Sequence, residues 1–213
     1  MDMTLINEAT KQNCIRLMQD PDYVRDNIYI GLQRTSEPSG VKKAGPFPGT
    51  EAYLYVRGSL GAVPWQVRLQ EQVLDDVYLT EEEAWAYAHD NTLAAGRTVI
   101  TSLPVLLEDL GVPELAAESG EGPRMYVVTN PQRCKGAAQI LDHDTIRGFF
   151  QTTEPGCGKL LVIPSSVHEC ILIPMPGDET LDLEAFHTMV HEVNLSTVDA
   201  REQLADRCFE MRL

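Results

Sequence analysis

The chain is predicted to be α+β, an antiparallel sheet with helices packed on one face, and three features predict it. Residues 160–163 (LLVI) and 170–173 (CILI) are short aliphatic runs with the length of buried strands. Two stretches, 144–150 and 181–193, carry apolar residues at helical spacing. From residue 124 onward the predicted order is strand–strand–helix–strand–strand–helix, a ββαββα half. A smaller N-terminal α/β subdomain, residues 1–115, is predicted to precede it. The small, glycine-rich stretch 116–123 marks the boundary, leaving residues 124–213 as the second subdomain.

Residues 4–18 space Leu5, Ile6, Ile15 and Leu17 as a helix, which Asp20-Pro21-Asp22 ends. Residues 23–34 are rich in β-branched and aromatic side chains and predict a strand. Residues 35–50, rich in glycine and proline, read as a long loop. Strands are predicted at 52–56, broken by Gly58 and Gly61, and at 65–69. Thr80 followed by Glu81, Glu82 and Glu83 is a helix start: Thr80 caps, Glu83 sits at the capping-box position, and the carboxylates oppose the positive end of the helix dipole. Trp85 and Ala88 continue that helix towards Gly96, and a short helix follows over 104–110. In the C-terminal half, strands at 125–129 and 136–141 predict a hairpin. Asp142 caps a helix carrying Ile146, Phe149 and Phe150. A turn at 154–158 leads into the two aliphatic strands, Pro176-Gly177-Asp178 closes a second hairpin, and Leu183, Phe186, Met189, Val190 and Val193 form the stripe of the last helix.

Composition narrows the function classes. A chain of 213 residues, 43% hydrophobic and 23% charged, has the make-up of a globular protein with a proper core. No apolar run is long enough to span a membrane, and the N-terminus has no signal-peptide pattern. The five cysteines are scattered and form no CxxC pair, which fits a reducing cytoplasm. The net charge is −15 and uneven: residues 71–118 hold 11 acidic residues and one basic residue, whereas residues 1–60 hold seven of each sign. Direct nucleic-acid binding is not expected, because a phosphate backbone needs clustered cations. Glu71, Asp75, Asp76, Glu81, Glu82 and Glu83 form a candidate acidic surface for a protein partner with a basic surface.

The best site candidate is the corner Ser165, Ser166, His168 and Glu169, set between two core strands with Pro164 interrupting the ladder. On an extended chain Ser166 and His168 share a face, so a nucleophile–base pair is one reading. No GxSxG elbow accompanies it. The competing reading is structural, with serine hydroxyls satisfying turn amides and His168 bonding the backbone. His187 and His191 stand four apart on a helix, but only two ligands are local and no metal site is expected. Cys157, next to Lys159, is a turn cysteine that a nearby cation could activate. No phosphate loop or dinucleotide fingerprint occurs, so no cofactor is expected.

Thr129-Asn130, Gly136-Ala137-Ala138, the string from Ile163 to Glu169 and Glu192-Val193-Asn194 form the pattern TN…GA…PSSxHE…EVN. In this the chain resembles an uncharacterised bacterial family of domains of unknown function, number 5688, whose members resemble proteins of anaerobic gut bacteria carried on mobile elements. Trp85, Asn91, Thr92 and residues 5–7 fit it more loosely. Ile163 stands where leucine is expected and Cys170 where an aliphatic is commoner, and the chain looks shorter at its N-terminus than many members. The resemblance implies no activity, substrate or cofactor, and gives priority to the corner, with Asn130 and Asn194 as its support. The expected function is a cytoplasmic, non-enzymatic macromolecule-interaction protein of a mobile element. The alternatives are an acidic, nucleic-acid-mimicking inhibitor of a host defence nuclease (anti-CRISPR or anti-restriction type) and a hydrolase centred on Ser166 and His168.

Overall fold

The computed structural model describes residues 8–35, 40–114, 123–178 and 183–213. Two helices open the described chain: α1 (Glu8–Met18) and α2 (Pro21–Asn27). Residues 21–27 were expected in part as strand and are helical instead. Asp20 accepts hydrogen bonds from the Asp22 and Tyr23 amides, and Pro21 occupies the first turn, so the triplet that ends α1 also starts α2.

A first antiparallel sheet follows, from β1 (Ile28–Arg34), β2 (Lys42–Ala44), β3 (Thr50–Leu60) and β4 (Val63–Arg68). β3 is central: β1 pairs along one edge, and β2 and β4 share the other. Gly58 does not break β3. It makes room for Trp65, since a Cβ there would stand 1.9 Å from the Tyr23 hydroxyl and 2.8 Å from the indole. Alternation assigns the faces: Ile28, Ile30, Leu54 and Val56 enter the core, and Tyr29, Tyr53 and Tyr55 form a separate buried cluster opposite.

Helix α3 (Glu71–Asp76) and α4 (Glu81–Leu93) come next, the latter with the expected capping box between Thr80 and Glu83. The second sheet has the order β5 (Val99–Ser102), β6 (Tyr126–Thr129), β8 (Glu169–Pro176), β7 (Cys157–Ser166), β9 (Phe209–Arg212), all antiparallel. Helix α5 (Leu103–Asp109) follows β5, and α6 (His143–Thr153) starts at the expected Asp142 cap. Helix α7 (Leu183–Thr197) precedes β9.

The fold class is therefore the expected one, α+β with antiparallel sheets, and two further details differ. Gly136–Leu141 is a 3₁₀ helix, not the return strand of a hairpin. Its small residues Gly136, Ala137 and Ala138 fit wholly inside the core, and β6 already has β5 and β8 on its two edges. A short apolar run does not distinguish the two conformations. Pro164 interrupts the ladder as expected, although β7 itself runs on through it. It lies beyond the segment paired with β9 and within the register shift between Ile163 and Ser166, where a missing amide is tolerated. Helical cover is also found on both faces of the second sheet. Ile146 and Phe150 of α6 pack with Leu160, Val162 and Leu172, while Val190 of α7 packs with Leu161, Ile163 and Ile173.

The larger core joins Ile28 and Leu54 of the first sheet to Leu160 and Leu172 of the second. Residues 116–122 of the expected boundary, residues 4–7 of the first expected helix, residues 181–182 of the last, and the side chains of Met189 and Val193 lie outside the described ones.

Candidate functional site

The polar corner is the tip of the β7–β8 hairpin, with Ser165 and Ser166 ending β7, Val167 and His168 turning, and Glu169 opening β8 opposite Ser166. All five residues are half-buried. The Ser166 hydroxyl accepts from the His168 amide at 3.0 Å. The imidazole Nδ1 accepts from the Lys135 amide at 3.1 Å, which places the proton of a neutral ring on Nε2, 3.4 Å from Glu202 Oε1. The Thr129 hydroxyl donates to the His168 carbonyl at 2.8 Å. The Val167 amide donates to the Glu202 carbonyl, and its carbonyl accepts from Ala137. The Ser166 hydroxyl and the imidazole Nδ1 are thus each engaged by a main-chain amide, the two side chains share no hydrogen bond, and Nε2 faces the Glu202 carboxylate. Burial raises the Glu169 carboxyl above the usual range, against the pull of His168 and Arg133.

Two further segments singled out in the sequence, residues 129–130 and 136–138, meet the tip at this joint. Asn130 closes the loop 130–134 by donating to the Cys134 carbonyl and accepting from its amide. Lys135 then takes a left-handed conformation (φ 53°), and Gly136 packs so closely that a Cβ would stand 2.2 Å from Thr129 Oγ1 and 2.6 Å from the His168 carbonyl oxygen. Asn194 in α7 donates to the Ala205 carbonyl and to Asp206, both at 2.9 Å, and so fixes the segment that follows Glu202.

What the joint holds in place is Lys135. Its ammonium donates to the Tyr53 hydroxyl and lies 5.2 Å and 5.5 Å from the ring centres of Tyr53 and Tyr55. Three further cations surround the same tyrosine cluster: Arg57 at 3.9 Å and Arg97 at 5.5 Å from the Tyr29 ring centre, and Arg68 at 4.1 Å from that of Tyr53. Register explains part of this, because Tyr29 and Arg68 flank Tyr55 on neighbouring strands. Tyr53 lies over Gly31, whose Cβ position is 2.6 Å from the ring. Between this face, the end of α4 and the 130–135 loop is a small pocket, with room for about 10 Å³, lined by Tyr29, Tyr55, Arg57, Arg97 and Lys135 among others. Sequence reasoning missed it. The alternation Tyr53-Leu54-Tyr55-Val56-Arg57 was the available signal, since it puts polar aromatics and a cation on one face.

The comparisons place the chain. Residues 61–211 match the family of unknown function DUF5688. The chain belongs to this family. The matched span runs from the end of the first sheet to β9 and so includes the joint, Arg97 and Lys135, whereas Tyr29, Tyr53, Tyr55 and Arg57 precede it. Searches of the curated proteins and of the solved structures found no match.

Elsewhere, the six acidic residues singled out in α3 and α4 are all exposed. Glu83 closes the Thr80 cap, whose hydrogen bonds hold its carboxyl below the usual range, and Glu81 accepts from the Trp85 indole at 3.1 Å. Tyr78, between the two helices, is 88% exposed with φ 55°. His187 contacts the Cys208 carbonyl at 3.2 Å and Glu184 at 3.6 Å, and His191 is exposed. No cluster of three or more metal-ligating side chains occurs among the described residues. Cys157 is not activated: its thiol donates to the Lys159 carbonyl, burial raises its pKa, and the Lys159 ammonium pairs with Glu210. No described helix is long and apolar enough to cross a membrane.

Proposed function

We propose that this family member is a cytoplasmic, non-enzymatic interaction protein that binds a macromolecule with a basic surface through α3 and α4. The observation that carries the reading is an exposed aromatic ring amid carboxylates. Tyr78 stands almost fully in solvent between helices whose Glu71, Asp75, Asp76, Glu81, Glu82 and Glu83 are all exposed. A large ring supplies contact area at low conformational cost, and the surrounding charge steers a cationic partner and fixes its register. The backbone-wired Ser166 and His168 give nucleophilic catalysis no support.

Replacing Tyr78 with a photo-crosslinking phenylalanine in the living host tests this. The expected result is one dominant protein adduct, lost when Asp75→Lys, Asp76→Lys and Glu82→Lys are added to a chain that keeps its circular dichroism. These positions spare Glu83 and the helix cap. No adduct, or one indifferent to charge reversal, refutes the proposal.

A further inference from the structure

The pocket beside the tyrosine cluster has an excess of donors and no carboxylate in its lining. In a chain with 32 acidic residues against 17 Lys and Arg, none of Arg57, Arg97 and Lys135 pairs with a carboxylate among the described residues. Of the amide and threonine side chains of the lining, all but Gln132 are used by the scaffold. Asn91 donates to the Arg25 and Ile28 carbonyls, Thr92 accepts from the Ile30 amide, and Gln139 joins the Thr92 carbonyl to the Thr98 hydroxyl. The guanidinium groups of Arg57 and Arg97 and the hydroxyls of Tyr29 and Tyr55 have no hydrogen-bond partner among the described residues.

Packing alone does not account for this arrangement. Stacking on a ring occupies the flat face of a guanidinium and leaves the N–H groups at its edge unmet. Burial holds the Tyr55 phenol in its protonated, donating form. Three cations kept close together repel one another unless an anion sits between them. These donors suit an acceptor with negative charge and several oxygens, a geometry that arginine meets bidentately.

We propose that the pocket is a binding site for a phosphate-type oxyanion, held by Arg57, Arg97 and Lys135 with the phenols of Tyr29 and Tyr55 as additional donors. The room of about 10 Å³ admits about one oxygen, and the rest of the anion lies among the long cationic side chains of the lining. A nucleobase does not fit there. None of the six carboxylates of the acidic surface lines the pocket, so either assignment stands or falls without the other.

Thermal unfolding of the full chain in orthophosphate, in phenyl phosphate and in sodium chloride of matched ionic strength tests the site. The expected result is a saturable rise in Tm of about 3–5 °C with orthophosphate at roughly tenfold over its Kd, beyond the chloride control. An equal rise with phenyl phosphate assigns the site to the end group of a monoester, and its absence assigns it to the free ion. The Arg57→Gln/Lys135→Gln double variant is expected to lose the phosphate response while its Tm in chloride stays equal or rises, because like charges have been removed. Phosphate doing no more than chloride overturns the proposal, as does a response that survives in the double variant. Should that variant unfold, ³¹P line broadening of orthophosphate by the wild-type chain, reversed by excess sulfate, serves as the second readout, and unbroadened lines overturn it.

Discussion

Substituting alanine for Gly136 tests the claim that the hairpin tip is a close-packed joint. The added Cβ would meet Thr129 Oγ1 at 2.2 Å, the His168 carbonyl oxygen at 2.6 Å and the Asn130 amide at 2.7 Å. Two of these three atoms are main chain and cannot rotate aside, so the 3₁₀ helix must back away from the hairpin. Overpacking costs about 1–3 kcal/mol. The movement also breaks the Thr129 hydroxyl to His168 carbonyl bond and the Ala137 amide to Val167 carbonyl bond, at about 1 kcal/mol each. The expected loss is about 3–5 kcal/mol, which for a chain of this size lowers Tm by about 6–20 °C. Urea denaturation and a thermal melt followed by circular dichroism measure it. Gly148→Ala is the control: nothing lies within 4 Å of its Cβ position, it is exposed in α6, and alanine there should stabilise by about 0.4–1 kcal/mol. A Gly136→Ala chain melting within about 2 °C of wild type would mean that the joint is loose and the reasoning wrong.

Three further outcomes are expected. Phe150→Ala, at a fully buried position edge-on to Tyr126 at 5.2 Å, should destabilise by about 3–5 kcal/mol in urea denaturation, and a loss under about 1 kcal/mol would contradict the packing. Glu169 has a folded-state pKa raised by burial, so its ionisation weakens the fold as pH rises from the unfolded value of about 4.3 through the folded one. Glu169→Gln should therefore raise Tm at pH 7 and leave it unchanged at pH 3.5, whereas a gain persisting in acid would point to another cause. Thr80→Ala removes the cap of α4 and should cost about 1 kcal/mol. Because the Glu83 pKa is depressed by that cap, the carboxylate's share of the cap is present above the unfolded pKa and is lost as pH falls through the folded one, so the gap between wild-type and variant melting curves should narrow in acid, leaving the bond from the Glu83 amide to the Thr80 hydroxyl as the remaining difference.

Local chemistry made several elements legible in advance. The α4 capping box, the Asp142 cap of α6 and the two aliphatic strands of the β7–β8 hairpin each follow from a few adjacent residues, and each is present. The hairpin tip was also recognisable as a fixed polar corner, because hydroxyl, imidazole and carboxylate groups stood between two core strands. The misread elements are those where one local pattern serves two conformations. Asp20-Pro21-Asp22 ends one helix and caps the next, and the alanine-rich 136–141 run suits a buried turn as well as a strand.

Sequence alone determined the fold class, the starts of α4 and α6 and the acidic segment, since periodicity, caps and charge runs act over a few residues. Tertiary structure alone decided what the corner does. His168 accepts from Lys135, 33 positions away, and thereby sets an ammonium beside Tyr53, a further 82 positions up the chain. Nor could sequence show that Arg57, Arg97 and Lys135 share one pocket without a carboxylate, because charge pairing depends on distance in space, and these residues become neighbours only when the two sheets close on a common core.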